Sequence, residues 1–369
     1  MYIYLLYFFV SVTIGIYSYA LIDPNITFFQ HPLWVAFRDP LVQFGYYNRE
    51  GSWNVYLILV ILLFLFYIIA VNNHETINPT RIALTIGIVL LFSYPFLSHD
   101  LFNYMFDAKI FTFYHQNPYL QRALDFPGDQ WTRFMQWTHL TYPYGPVFLL
   151  LSLAPSFLGI GKFTLSFLLF KTFFILCYII SVHLLNTLNK RWAVIFATHP
   201  LIVIEGLVSS HNDLTALSLA IIGIYLLFKK NNAWGRLFLL FSGGVKYISA
   251  PMLLIGNSKN HRWNKVILII QMGILIYLSL KMEIQPWYFL VLFAFLPFFE
   301  KIISSMNIFF LGLLMSYYPY IRLGGWNSAG KIDLKHQIIL IFFLINVCYM
   351  CLIFFLKRYK YSYKVSTRS

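Results

Sequence analysis

Asp100, Tyr104 and Asp107 fall at i, i+4 and i+7 in the stretch SHDLFNYMFDAKIFTFYHQNPY, residues 98–119. On a helix that spacing puts all three on one face, with Asn103 beside them. Leu101, Phe102, Met105 and Phe106 cover the remaining surface, so the stretch reads as an amphipathic helix with an acidic stripe. It follows an apolar run ending at Leu97, where a bilayer would end. Two carboxyls in a partly dry site can supply a general base, and can also hold a divalent cation such as Mg or Mn. The plain alternative is a solvated turn between two spans.

Further groups reinforce the first reading. In HPLIVIEGLVSSHND, residues 199–213, Glu205 sits inside an apolar run and His211, Asn212 and Asp213 stand at its outer end. Asp213 also suits the cap of a following helix. Lys171 lies in LLFKTFF, Lys246 in SGGVKYISAP and Arg322 in YYPYIRLGG. Lys171 can be a snorkelling lysine. Lys246 follows Gly243 and Gly244 and precedes Pro251, and a cation on a broken helix suits a phosphate. In KMEIQPWYF, residues 281–289, Trp287 and Tyr288 beside Glu283 and Gln285 offer either interface anchors or a platform for a sugar ring. The segments NPY at 117–119 and YPYGP at 142–146 set rigid turns around the loop between them. A phosphate-cradling GxxxxGK[ST] loop, GxSxG, HExxH and paired CxxC motifs are all absent.

Such groups need a scaffold, and the composition names its class. Of 369 residues, 59% are hydrophobic and 11% charged, with mean hydropathy +0.68. A soluble domain carries about 25% charged residues, so this is an all-α polytopic membrane protein, read as one integral-membrane domain over 1–369. Spans are expected near 1–22, 53–71, 81–97, 163–187, 192–208, 213–228, 233–249, 250–257, 265–281, 287–299, 302–318 and 335–356, about 12 in all. The run 146–160, with Pro155, reads as a re-entrant or surface-lying helix pair that does not cross. Residues 1–22 lack a basic start and a small-residue cleavage site, so they read as the first span. With the N-terminus inside, 15 of the 27 Lys and Arg, from Arg81 to Arg368, fall in inner segments, but only two acids, Glu75 and Glu300. A crossing at 146–160 would reverse that bias. The chain then divides into N-terminal spans at 1–97, an outer loop with re-entrant helices at 98–162, further spans at 163–356 and a basic cytoplasmic tail at 357–369. Both termini are cytoplasmic, and residues 98–145 face the extracytoplasmic side. The net charge of +14 reflects this orientation rather than nucleic acid, for which no basic module exists. Cys177, Cys348 and Cys351 sit in apolar runs and imply no disulfide framework.

Taken together, SHDLFNYMFDAKIFTFYHQNPY, YPYGP, HPLIVIEGLVSSHND, GGVKY and QPWYF resemble the GT-C superfamily of integral-membrane glycosyltransferases. The likeness is greatest to polyprenol-phosphate-mannose mannosyltransferases and more distant to the GPI mannosyltransferase catalytic subunit. It extends over about residues 94–290, with hydropathy alone matching beyond. The resemblance implies a plasma-membrane enzyme that moves a hexose, mannose by this likeness, from a polyprenyl-phosphate donor to a glycan or glycolipid acceptor on the outer side. It places the general base at Asp100. Asp107 and Lys109 match the family's DA[KR] segment, and Lys171 and Lys246 would hold the donor phosphate. His99, Asn103, Tyr104, Asn117, Tyr142, Glu205, His211, Asp213, Gln285, Trp287 and Tyr288 complete the expected substrate surroundings. The family's acidic pair separated by one residue is absent here, where His99, Asp100, Leu101 and Phe102 stand, so metal use is unassigned. The competing class is a secondary transporter with Glu205 and Lys246 in its substrate or proton path.

Overall fold

The computed structural model describes residues 2–256, 262–326 and 328–366, with side chains as far as Leu356. The expected inner loop 258–265 is therefore described only from Arg262, and the side chains of the tail 357–369 lie outside the described residues. The described chain is helical, with no strand beyond one isolated bridge between Arg122 and Thr141.

Helix α1 spans Tyr2–Tyr17, α2 Pro32–Tyr47, α3 Arg49–Asn72, α4 Pro79–Leu90, α5 Asp100–Thr112 and α6 Pro146–Gly159. Then come α7 over Phe163–Leu188, α8 over Lys190–Thr198, a π-helix over Ile202–Val208, α9 over Asn212–Phe228 and α10 over Asn232–Val245. Tyr247–Leu254 is 3₁₀, α11 spans Arg262–Lys281, and Pro286–Phe295 is 3₁₀. Four helices close the chain, α12 over Leu296–Ser304, α13 over Asn307–Met315, α14 over Tyr318–Leu323 and α15 over Ala329–Ser366.

Six described helical stretches are long and apolar enough to cross a membrane, or seven if α8 and the π-helix, bent by 65°, count as one span. The expected number was about 12. The difference arises because several apolar runs break into short helices and 3₁₀ turns. Run 192–208 divides at Pro200, which drives His199 out of the helical region to φ −68°, ψ 126°. Run 287–299 is 3₁₀ before it becomes α12. In α15, only 11% of the apolar window Ala329–Leu356 is buried, as a lipid-facing helix requires.

Three expectations need correction. The span expected at 81–97 is not helical to its end. Helix α4 stops at Leu90 and α5 starts afresh at Asp100. Helix α5 is not amphipathic at a surface, since every residue from Asp100 to Ile110 is buried. Residues 146–160 hold one helix, α6, rather than a pair. Its 14 residues reach about 21 Å at 1.5 Å per residue, short of a hydrocarbon core of about 30 Å. Between the first two expected spans lies α2, whose His31 side chain accepts from Leu33 N–H ahead of the first turn that Pro32 opens.

Candidate active site

Helix α5 begins at Asp100, the candidate base. Asp100 occupies the first turn, where the free N–H groups favour a negative charge, and its own N–H donates to Ser98 Oγ at 3.2 Å. The carboxylate borders a cavity of about 580 Å³ lined also by His99, Trp137, Lys246, Gln285, Trp287, Tyr288 and Trp326. A larger apolar groove of about 840 Å³ lies between α1, α2 and α4. It has no carboxylate or ammonium and supplies no base or phosphate contact.

Glycine packing brings Lys246 to the same cavity. A Cβ on Gly145 would stand 1.9 Å from the Gly244 carbonyl oxygen, so only glycine lets YPYGP lie directly on GGVK. Helix α10 then ends at Val245, and Lys246 Nζ donates to Asp213 Oδ2 at 2.7 Å and Asn212 Oδ1 at 3.1 Å. The ammonium also sits 5.4 Å from the centre of the Tyr288 ring.

Burial alone would push the Asp100 carboxyl up. Hydrogen bonding and charge from His211, the charge of Lys246 and the Trp137 indole hold it below the usual carboxylate range. Tyr104 Oη donates to Asp100 Oδ2 at 3.5 Å across one helical turn and accepts from Asn212 N–H at 3.3 Å. Asp107, two turns along, is pushed up to about 8 by burial and by the negative charge of Asp100. It therefore carries its proton at neutral pH and is no base there. Desolvation likewise lowers His99, the residue before Asp100.

The structure separates the other expected site residues into groups. Gln285, Trp287 and Tyr288 reach the cavity, as does His99. His211 and Glu205 are fully buried behind it, with Asp213 beside them holding Lys246. Asn103 Oδ1 accepts from Gln136 N–H at 3.2 Å, which fixes the loop carrying Trp137. Lys109 pairs with Asp129 and lies 3.9 Å over the Trp131 ring in a second polar pocket of about 650 Å³. Asn117 caps its own turn through Tyr119 N–H at 2.9 Å. Tyr142 packs against Tyr119 and Tyr144 with its hydroxyl buried.

Lys171 is not at the cavity. It is fully buried, and its ammonium donates to the Leu207 and Val208 carbonyls, Ser93 Oγ and Ser210 Oγ. It closes the end of the π-helix, satisfying carbonyls that a terminus leaves open. Arg322 pairs outward with Glu50 at 2.9 Å.

Sequence reasoning passed over Lys335, Trp137, Tyr317 and Trp326. Lys335 Nζ donates to Glu283 Oε1 at 2.7 Å and Gln285 Oε1 at 2.9 Å, and sits 4.6 Å over Trp326. The charged segment KIDLKH, residues 331–336, at the head of the last apolar run was the signal for it. Among the described residues no group of three or more His, Cys, Asp or Glu is arranged to hold a metal ion. The Mg or Mn suggested by Asp100 and Asp107 thus has no assigned ligand set.

A buried carboxylate, a lysine and the rings of Trp137, Trp287, Tyr288 and Trp326 around one cavity suit the transfer of a polar, ring-shaped group. No curated protein and no solved structure matches the chain. Residues 35–257, well over half the chain, match the MptA_B family, described as alpha-(1->6)-mannopyranosyltransferase, N-terminal domain, and the chain belongs to that family of membrane mannosyltransferases.

Proposed function

We propose that the protein transfers mannose from a polyprenyl-phosphate donor to a glycan or glycolipid acceptor on the extracytoplasmic side, with inversion and with Asp100 as base. The supporting observation is that Asp100, held ionised, and Lys246 border one cavity walled by Trp137, Trp287, Tyr288 and Trp326. Aromatic faces suit the C–H faces of a mannose ring. The acceptor hydroxyl gives its proton to Asp100 as its oxygen attacks the anomeric carbon, and polyprenyl phosphate departs on the far side. Lys246 is the cation placed to meet the phosphate charge that develops. Lys171 takes no part, because its donors are spent on carbonyls and hydroxyls. A phosphate monoester is already a good leaving group, so one base suffices. The sidedness rests on the bias of Lys and Arg toward inner segments. A transporter would need a path linking Glu205 and Lys246, yet Glu205 is completely buried and Lys246 is held by Asp213.

The test uses protein in vesicles with radiolabelled polyprenyl-phosphate mannose or, separately, a mannose sugar nucleotide, and a mannoside acceptor supplied on one side. Transfer from the lipid donor alone supports the reading. Transfer from the sugar nucleotide alone overturns the donor assignment.

A further inference from the structure

The cavity beside Asp100 has a second wall, which includes Glu283, Gln285, Trp287 and Trp326 and lies beyond residue 257, where the family match ends. Helix α11 ends at Lys281, and Pro286 holds Gln285 out of the helical region, at φ −114°, ψ 130°. Ile284 N–H donates to His336 Nε2 at 3.3 Å, which pins this segment to α15. One residue before His336, Lys335 Nζ donates to Glu283 Oε1 at 2.7 Å and to Gln285 Oε1 at 2.9 Å, so it gathers both side chains. The Lys335 side chain is only 1% exposed, against 35% for Glu283. The ammonium therefore stays behind the wall, and the carboxylate and the amide form its surface.

Lys335 uses only one oxygen of each partner. Glu283 Oε2 and Gln285 Nε2 have no hydrogen-bond partner among the described residues. A carboxylate present only to neutralise Lys335 needs neither an amide beside it nor a free oxygen at a cavity edge. An acceptor atom next to a donor atom suits two hydroxyls of one pyranose, since each hydroxyl both donates and accepts. Trp287, two residues on, lines the same cavity. The His211 imidazole lies flat against its indole, with centroids 3.8 Å and planes 16° apart, which holds the ring rigid as a sugar platform. Charge then selects the substrate. The donor carries a phosphate, which Lys246 is placed to meet and the Glu283 carboxylate repels. A mannoside acceptor is neutral, so this wall suits its ring while the attacking hydroxyl reaches Asp100.

We propose that Glu283 and Gln285 bind the acceptor sugar through two of its non-reacting hydroxyls, and that Lys335 is the positioning residue that aims them. This rests on the reading of the cavity as the place of mannosyl transfer. The acceptor preference of this chain is then set outside residues 35–257, the stretch that matches the family.

The experiment titrates methyl α-mannoside and its monodeoxy analogues against protein in vesicles without donor, followed by tryptophan fluorescence. It then measures transfer to the same acceptors from polyprenyl-phosphate mannose. The proteins are wild type, Glu283→Gln, Gln285→Ala, Lys335→Met and Lys335→Arg. Glu283→Gln and Gln285→Ala should each weaken mannoside binding and raise the acceptor KM roughly tenfold, the scale of one lost hydrogen bond. Both kcat and donor KM should stay within about twofold of wild type, as for a loss of uniform binding. Wild type should bind one monodeoxy analogue roughly tenfold more weakly than the parent, and Glu283→Gln should bind the two alike, a change that a merely structural carboxylate would not produce. Lys335→Met should lose the same discrimination, and Lys335→Arg should keep part of it. Should Lys335→Met fail to fold, the Glu283 and Gln285 variants decide the outcome. Unchanged acceptor affinity in both of those variants, a raised donor KM in its place, or no mannoside binding by wild type overturns the proposal. A wild type that binds mannoside with the expected discrimination but transfers no mannose leaves the subsite standing and contradicts the proposed function itself.

Discussion

The two ends of helix α5 hold the same chemistry in opposite states. At its first turn, Asp100 is held ionised by His211, Lys246 and Trp137 and borders the large polar cavity. Two turns on, Asp107 is equally enclosed but keeps its proton to about pH 8. The adjacent Lys109 is committed to Asp129, which also accepts from Tyr114 Oη at 2.7 Å and Trp131 N–H at 2.9 Å. Burial is common to both ends, so it does not decide which carboxyl stays ionised. The neighbours decide it. The same lesson applies to the lysines, since Lys246 meets the cavity while Lys171 is used up by the carbonyls of the π-helix.

The contrast between structural and site cations breaks most visibly at Lys171. Lys171→Met leaves buried carbonyls and hydroxyls without a donor, and should destabilise the fold by on the order of 3 kcal/mol. Thermal unfolding in detergent should show it, with a matching fall in membrane accumulation. Next in size, Asp129→Asn removes the partner of Lys109 at the far end of α5. It should cost about 2 to 3 kcal/mol and loosen the loop at 113–135, seen as faster proteolysis there, while the residual folded protein keeps its donor affinity. Lys246→Met should leave folding near wild type and lower the transfer rate roughly tenfold, in the range of a lost charge contact in the transition state. Single-turnover kinetics would measure it.

The smallest effect sharpens the comparison of the two aspartates. The folded-state value of Asp107 is raised above its unfolded value, so its contribution to stability is fully present below the unfolded value. That contribution is lost as pH rises toward and through about 8. Unfolding temperatures should fall between pH 6 and pH 9 in wild type and fall less in Asp107→Asn. Transfer at pH 7 should change by no more than about threefold in that variant, since the neutral acid and the amide have similar shape.

Much of the site was legible because its residue types are expensive in an apolar chain. Asp100, Glu205, His211 and Lys246 stand out against a sequence only 11% charged, and Trp287 and Tyr288 announce themselves beside Gln285. What the sequence could not show is which polar groups satisfy one another. Lys171 and Lys246 look alike in an apolar window, and only packing turns one toward carbonyls and the other toward a cavity. The inward burial of α5 was hidden for the same reason, because its aromatic flank packs against α6 and α7 rather than lipid. The break at Pro200 carried a readable signal, and a residue before proline is a poor place to continue a span. The short helices defeated the count of spans, since hydropathy does not register a 3₁₀ segment such as Pro286–Phe295.

The most direct test of the account is mannose transfer in vesicles by wild type, Asp100→Asn and Asp107→Asn, each shown to be folded. The account predicts that Asp100→Asn loses at least about 100-fold in rate, while Asp107→Asn stays near wild type. Transfer that survives Asp100→Asn, or that collapses in Asp107→Asn instead, would contradict the assignment of Asp100 as the base.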